Sequence, residues 1–397
     1  MKKLLIFGVA MSAFAALAAE LIVPQVTVAT AEGGTGKLVV TYTLDKSAVV
    51  TFDVMTNGAP IDASLLGSAK GDVFKKLSAG PHTFTWKVYK SIPADVKIAD
   101  AKVRVKAWSV GQPPDYMVID ILNENGEIRY YETAEQLPGG IGHYDYKSVK
   151  LVMRKIPSAY KWTKLGRTGA PEGDAATLHS VLLTADYYIG VYEFTAAQNA
   201  AMGGTARAND PYPYRGSFNG VYSAVAGYVT HTGLPLALPT AAQWEFACRA
   251  GTTTDLYTGE NLEGDTESAN LDGIAWYGYN SGNPKGTLSN VAMHAVGLLA
   301  PNGFGLYDMI GNVWEFSRNH AGYRSWLDYI DPDAGFDAGS NQAARHGGSY
   351  DFTASYCRAT GYQANNKSYG NDSKAGVNGS FNNNQGFRLC LPCQAVR

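Results

Sequence analysis

The side chains able to do covalent or metal chemistry are few and scattered. There are four cysteines, Cys248, Cys357, Cys390 and Cys393, and four thiols in an oxidising compartment allow three full pairings. Cys390-Leu391-Pro392-Cys393 has the CxxC spacing of a redox pair or of half a zinc site. No helix follows it to lower a thiol pKa, and no second CxxC completes a tetrahedral site, so structural thiols or disulfides are expected. The histidines (His82, His143, His179, His231, His294, His320 and His346) form no HExxH or HxxxH, and neither a GxSxG elbow nor a phosphate-binding loop occurs. Cys357 acting as a lone nucleophile would need an activating base, and His346 is the nearest in sequence. Nothing in the spacing makes Asp351 and Glu315 an acid–base pair.

The elements that must position these groups follow from composition and periodicity. The chain has 397 residues and a net charge of -2; 45% are hydrophobic, 17% charged and 12% aromatic. That is enough apolar material for a packed core, which excludes a disordered chain. No basic excess is available to grip a phosphate backbone, which excludes nucleic acid as a partner. Lys2 and Lys3, the apolar stretch Leu4 to Leu17 and the small-x-small Ala16-Leu17-Ala18 make residues 1–18 an export signal. No later segment reaches the roughly 20 apolar residues of a membrane span. The mature chain is therefore expected without a transmembrane segment, exported, and periplasmic or extracellular.

Residues 21–112 alternate as short strands between Gly, Pro, Asp and Asn breaks: 37–45 with Leu38, Val40, Tyr42 and Leu44 on one face, then 49–55, 82–89 and 102–108. This predicts an all-β sandwich of the immunoglobulin or fibronectin III kind, with no catalytic cluster, as a spacer or adhesion module. Pro113-Pro114 suggests a hinge, and residues 113–147 a linker and strand extension. From about Ser148 to residue 397 the texture changes to short helices, many aromatics and long Gly/Asn-rich loops. Thr195-Ala-Ala-Gln198 and Thr240-Ala-Ala-Gln243 each fit a capping box, with Gly203 and Gly251 as stops. A third helix is expected within Asn219 to Thr232, ended by Gly233, and almost no helix after Gly251.

Five segments in order are specific together: YYIGVYEFTAAQ (187–198), LPTAAQWEFACRAG (238–251), NGFGLYDMIGNVWEFSRN (302–319), HGGSY (346–350) and QGFRLCL (385–391). In this order and spacing the chain resembles the formylglycine-generating enzyme, or sulfatase-modifying factor, family over about Ser148 to Leu391. The resemblance implies an α+β C-type-lectin-like fold for residues 148–397. It also implies bound calcium, at one site made by Asp308, the carbonyls of Gly311 and Val313, and Glu315. A second site would begin at Asn270 and the carbonyl of Leu271. Oxygen ligands suit a hard cation, and two carboxylates seven residues apart around a Gly turn can wrap one. Asp308 stands where the family often has Asn, keeping the oxygen and adding charge. The resemblance further implies a bridge from Cys248 to the last strand. Leu389 shifts the candidate partner, Cys390, by one residue, and such a slip reverses the face of a strand.

The family's catalysts hold copper(I) between two cysteines five residues apart, just after Gly-Gly-Ser. In GGSYDFTASYC (347–357) the second is Cys357, but the first is Phe352. Copper(I) asks for soft thiolates and a phenyl ring supplies none, so copper is not expected. Any retained oxidation would centre on Cys357, Ser349 and Trp314. Residues 350–385 are rich in Tyr, Asn, Ser and Gly, a composition that suits binding surfaces. They also resemble the variable regions of retroelement-diversified ligand-binding proteins; an ordinary polar loop surface accounts for the composition equally well. Tyr350, Asp351, Phe352, Tyr356, Tyr362, Asn365 and Asn366 are the expected ligand contacts. The expected function is a calcium-stabilised module binding an unidentified extracellular protein or glycan, without copper oxidase activity. The alternative is an oxidoreductase acting on protein cysteine in sulfatase maturation.

Overall fold

The computed structural model describes residues 37–56, 58–87, 102–122, 126–168, 177–204, 211–282, 290–320, 329–332, 342–366 and 384–393. The expected export signal, residues 1–18, and residues 367–383 of the Tyr/Asn-rich stretch lie outside them. Alternation in the first segment gives β1 (Lys37–Leu44), with Val40, Tyr42 and Leu44 buried and Thr41 and Thr43 exposed. There follow β2 (Ala48–Thr56), β3 (Lys75–Leu77), β4 (Gly80–Lys87) and β5 (Lys102–Trp108). β1 pairs antiparallel with β4, while β2 pairs antiparallel with β5 on one edge and β3 on the other. The two sheets meet through Phe52 of β2, whose ring lies 4.7 Å from Phe84 and 6.1 Å from Trp86, both on β4.

Downstream are β6 (Tyr116–Asp120), β7 (Ile128–Tyr131), β8 (Lys150–Ile156), β9 (Lys161–Leu165), β10 (His179–Leu183) and β11 (Tyr187–Gly190). Three helices come next, α1 (Ala196–Ala201), α2 (Phe218–Thr232) and α3 (Ala241–Arg249). After them come β12 (Trp314–His320), β13 (Tyr329–Ile330), β14 (Gln342–His346), β15 (Tyr362–Asn366), β16 (Gln385–Gly386) and β17 (Cys390–Pro392). They form a five-stranded sheet in the order β17-β11-β8-β6-β7, a three-stranded sheet β9-β10-β13 and a four-stranded sheet β15-β14-β12-β16. Among the described residues no helix is long and apolar enough to cross a membrane.

Both capping boxes form. The Thr195 hydroxyl accepts from the Gln198 N–H at 3.0 Å and the Gln198 side chain accepts from the Thr195 N–H at 3.0 Å; the Thr240 and Gln243 pair does the same at 3.1 and 2.9 Å. α2 ends on Gly233 at φ 65, as its sequence predicts. The expected stop at Gly251 is corrected by one residue. Ala250 itself caps α3 at φ 47, a left-handed conformation that costs a residue with a Cβ about 1–2 kcal/mol.

The expected hinge at Pro113-Pro114 is also corrected. Both prolines are buried, the Lys155 ammonium donates to the Pro113 carbonyl at 2.5 Å, and the Tyr188 hydroxyl donates to that of Pro114. The strands on either side interlock rather than swing. The Tyr130 N–H donates to the Phe74 carbonyl at 2.7 Å, and the Phe74 and Tyr131 rings lie 4.9 Å apart. Glu132 accepts from Thr51 at 2.6 Å and from Lys106 at 2.5 Å. The segment 113–147 thus supplies two strands of the five-stranded sheet and the contact surface for the N-terminal sheets.

Candidate functional site

The Gly347-Gly348 turn leaves β14 with φ values of 88 and 80, a left-handed pair that glycine adopts freely. A Cβ on Gly348 would lie 2.5 Å from the Cys357 sulfur, so the turn packs directly on that thiol. Phe352 is buried against Trp314 at 5.2 Å and Tyr356 at 5.0 Å, in near-perpendicular contacts of 88° and 80°. The Arg345 guanidinium, also buried, lies 4.9 Å from the Trp314 ring centre and 5.9 Å from that of Phe352. The Trp314 indole N–H is buried with no acceptor among the described residues. Ser349 donates to Asp351 at 2.7 Å, and the Asn384 amide holds both oxygens of that carboxylate at 3.1 Å.

Cys357 is fully buried, and burial pushes its thiol up to about 12. Its sulfur faces the Ser349 carbonyl at 3.8 Å. His346 does not serve it. That ring stacks on Trp244 at 5.1 Å, lies 3.1 Å from the Ser317 hydroxyl, and is held neutral by burial, its pKa lowered to about 3. Among the described residues Cys357 thus has neither a second sulfur nor an activating base beside it, and these surroundings do not fit copper(I).

All four cysteines are free and buried. The expected Cys248–Cys390 bridge is not made: the Cys248 sulfur faces the Met309 carbonyl at 3.8 Å and that of Cys390 the Gln243 side-chain oxygen at 3.9 Å. Cys390 pairs in register with Ile189 of β11, and its carbonyl accepts from the Ala237 N–H at 2.9 Å. That register leaves the two sulfurs with separate acceptors.

The expected ligand contacts divide. Tyr350, Asp351 and Phe352 are buried and hold the turn together, so their assignment to a surface is corrected. Tyr356 is 39% exposed and Tyr362 half-buried. Asn365 and Asn366 lie on β15, and their side chains lie outside the described residues.

Of the candidate calcium residues, Asp308, Gly311 and Val313 lie on one buried loop that runs into β12, where Glu315 sits. Asp308, at φ 55, accepts from the Gly297 N–H at 2.6 Å. Glu315 is held in a fork by Arg388, with contacts from 2.5 to 2.9 Å, and accepts from the Trp244 indole at 2.7 Å. A third carboxylate, Glu193, enters from the turn after β11. It accepts from the Asn312 side chain at 2.6 Å and the Val313 N–H at 3.1 Å. Burial first, then repulsion from Asp308 and Glu315, raises its pKa well above the usual carboxylate range. Asp308 is raised chiefly by burial and further by Glu315.

Among the described residues no three His, Cys, Asp or Glu side chains converge as a ready-made ligand set. Glu193, Asp308 and Glu315 are buried together near Arg388, which pairs with Glu315, and Lys147 adds a weaker positive charge beside Asp308. The two residues expected to begin the second site have protein partners. The Asn270 amide donates to the Asn261 carbonyl at 3.0 Å, and the Leu271 carbonyl already accepts from Ile274 and Ala275 at 3.1 and 3.0 Å. Glu193 escaped the sequence reading although it lies inside the YYIGVYEFTAAQ motif, because its partners are 119 and 120 residues away.

Residues 206–391 match the family described as Sulfatase-modifying factor enzyme 1-like domain. A formylglycine-generating enzyme of Mycobacterium tuberculosis is 41% identical over 80 residues, covering 20% of this chain and 26% of that protein. The inactive C-alpha-formylglycine-generating enzyme 2 of Bos taurus is 33% identical over 113 residues, 24% of this chain and 34% of that one. The chain spans about a quarter to a third of the length of these two relatives. Among solved structures, Treponema denticola variable protein 1 aligns with a TM-score of 0.48 and 23% identity, covering 62% of this chain and 96% of that one.

Proposed function

We propose, from the premise that residues 206–391 belong to the sulfatase-modifying factor enzyme 1-like family, that this chain uses the family's fold to bind a ligand and has no copper oxidase chemistry. The observation that carries the proposal is Phe352. It stands five residues before Cys357, where the family's catalysts have the first copper-binding sulfur, and it is packed between Trp314 and Tyr356 under the Arg345 guanidinium. A relative in Bos taurus that bears the word inactive in its name supports the same reading. The ligand is an extracellular protein or glycan, met by Tyr356, Tyr362 and strand 362–366 on a chain exported to the periplasm or beyond. Residues 37–108 form a sandwich of the immunoglobulin or fibronectin III kind that presents this domain. The deciding experiment incubates the chain with copper(I), oxygen and a peptide bearing the sulfatase cysteine motif. No formylglycine is expected, and its formation, abolished by Cys357→Ser, would overturn the proposal.

Calcium stabilises the domain in this reading, held by Asp308, Glu193 and the Gly311 and Val313 carbonyls, with Glu315 already committed to Arg388. Its role is structural: it offsets the repulsion among the buried carboxylates and ties β12 to the turn after β11. A site saturated about a thousandfold above its Kd contributes about 4 kcal/mol, so chelation should lower the melting temperature by several degrees. Asp308→Ala should lower it at the outset and abolish the chelator effect. A melting curve indifferent to chelator would remove calcium from the account.

A further inference from the structure

The five-stranded sheet β17-β11-β8-β6-β7 has two edges, and each meets chain from outside the sheet. At the β17 edge, Ala237 and Cys390 exchange backbone bonds of 2.9 and 2.7 Å. At the β7 edge the partner comes from the N-terminal sandwich. The Tyr130 N–H donates to the Phe74 carbonyl at 2.7 Å, and the Phe74 N–H donates to the Val50 carbonyl of β2 at 2.7 Å. Phe74, immediately before β3, thus carries backbone bonds to both sheets. An open strand edge invites pairing with another chain, and a segment laid on it removes that hazard.

Phe74 is buried at φ 59. A bulky residue holds that left-handed conformation only at a cost, and it persists where the surroundings over-determine it. Here they do. The Phe74 ring lies 5.6 Å from Phe52 of β2 and 4.9 Å from Tyr131 of β7. Thr51 and Lys106 of the sandwich hold Glu132, whose N–H donates to the buried Gln136 side chain at 2.7 Å. Gly67 packs on the same segment: a Cβ there would lie 3.2 Å from the Gln136 carbonyl. The apolar core is continuous across this junction. One cluster joins Val40, Phe52 and Phe84 to Tyr131, Val152 and Ile156, and a second joins Val49 to Met117 and Ile119. Domains on a loose link each close a core of their own and meet through a more polar surface.

We propose that Phe74 is a latch fastening the N-terminal sandwich to the β7 edge, so that the sandwich and the domain beyond it unfold as one body. The sandwich is then a fixed cap on the sheet and not a detachable spacer. This stands apart from the ligand and the metal proposed above, and its test needs neither. Peptide-resolved hydrogen exchange across a urea series reads the unfolding midpoint of each part of the chain from Ala19 onwards, which keeps every described residue. In the wild type, peptides from 37–56 and from 179–194 should share one midpoint. Glycine adopts φ 59 freely, so Phe74→Gly deletes the ring and leaves the two backbone bonds their geometry. Its sandwich peptides should unfold about 1 M urea below those of 179–194. Tyr131→Leu removes the ring on the other side of the latch and should split the midpoints in the same order. Phe84→Ala is the control. Its ring packs inside the sandwich, 4.7 Å from Phe52, so with the latch closed it should lower both midpoints together. Separate midpoints in the wild type, or a Phe84→Ala protein that loses the sandwich alone, would overturn the proposal. Joint unfolding in both Phe74→Gly and Tyr131→Leu would overturn it too, because Phe74 would then be an ordinary core residue.

Discussion

Arg388→Met should cost the protein about 3–5 kcal/mol, the range for removing one partner of a buried ion pair. Arg388 and Glu315 are 0% and 1% exposed. The guanidinium also donates to the carbonyls of Gly190 at 2.9 Å and Tyr307 at 3.0 Å, so one side chain ties β12, β11 and the loop before Asp308 together. Methionine would fill most of the volume but leave Glu315 unpaired beside Glu193 and Asp308, three buried carboxylates without their main counter-charge. Urea denaturation reads the loss directly. Arg388→Lys keeps the charge without the planar fork that reaches two carbonyls, and should fall between the wild type and Arg388→Met. Glu315→Gln placed on Arg388→Met should restore part of the loss, because it removes the stranded charge. If Arg388→Met denatures at nearly the wild-type urea concentration, this ion pair does not hold the domain together.

What the sequence makes legible here is local. The two capping boxes are four-residue statements about hydrogen bonds within one turn, and both form with the partners their spacing implies. The alternation of β1 is equally short-range. The replacement at Phe352 is legible because it lies a fixed step from Gly-Gly-Ser and from Cys357. The failures share a cause. Glu193 meets its loop across 119 residues, and Arg388 reaches Glu315 across 73; no spacing rule covers such distances. Pro113-Pro114 has the composition of a hinge, but its carbonyls are claimed by Lys155 and Tyr188, long-range donors that only the fold brings near. Tyr350 and Asp351 have the composition of a surface, yet the Gly347-Gly348 turn folds them inward, where Asn384 and Ser349 satisfy the carboxylate. Ala250 shows the same limit at one residue: glycine at 251 marks the end of α3, and packing decides which position turns left-handed.

Phe352→Cys should convert a site that does not hold copper(I) into one that does. The wild-type chain offers Cys357 alone, with its thiol pushed up to about 12 by burial. A lone protonated thiol is a poor ligand, and linear copper(I) needs two thiolates. The substitution places a second sulfur five residues before the first, in a space lined by Trp314 and Tyr356. Arg345, 5.9 Å from the present ring, supplies a positive charge that favours ionised sulfur. Affinity measured by competition with a chromogenic copper(I) chelator should rise at least about a hundredfold, which is about 2.7 kcal/mol. It should return to the wild-type value in Phe352→Cys/Cys357→Ser. Losing the buried ring should cost about 2–4 kcal/mol of stability, and copper should restore part of it in the single variant only, because an ion that binds only the folded state raises its stability. Tight copper(I) binding by the unaltered chain would mean that another sulfur reaches Cys357, and the case for lost oxidase chemistry would fall. A variant that folds yet binds no copper would mean that residue 352 does not occupy the place of the missing ligand. Only the pairing of a silent wild type with a copper-binding variant fits a phenyl ring standing where the metal would be held.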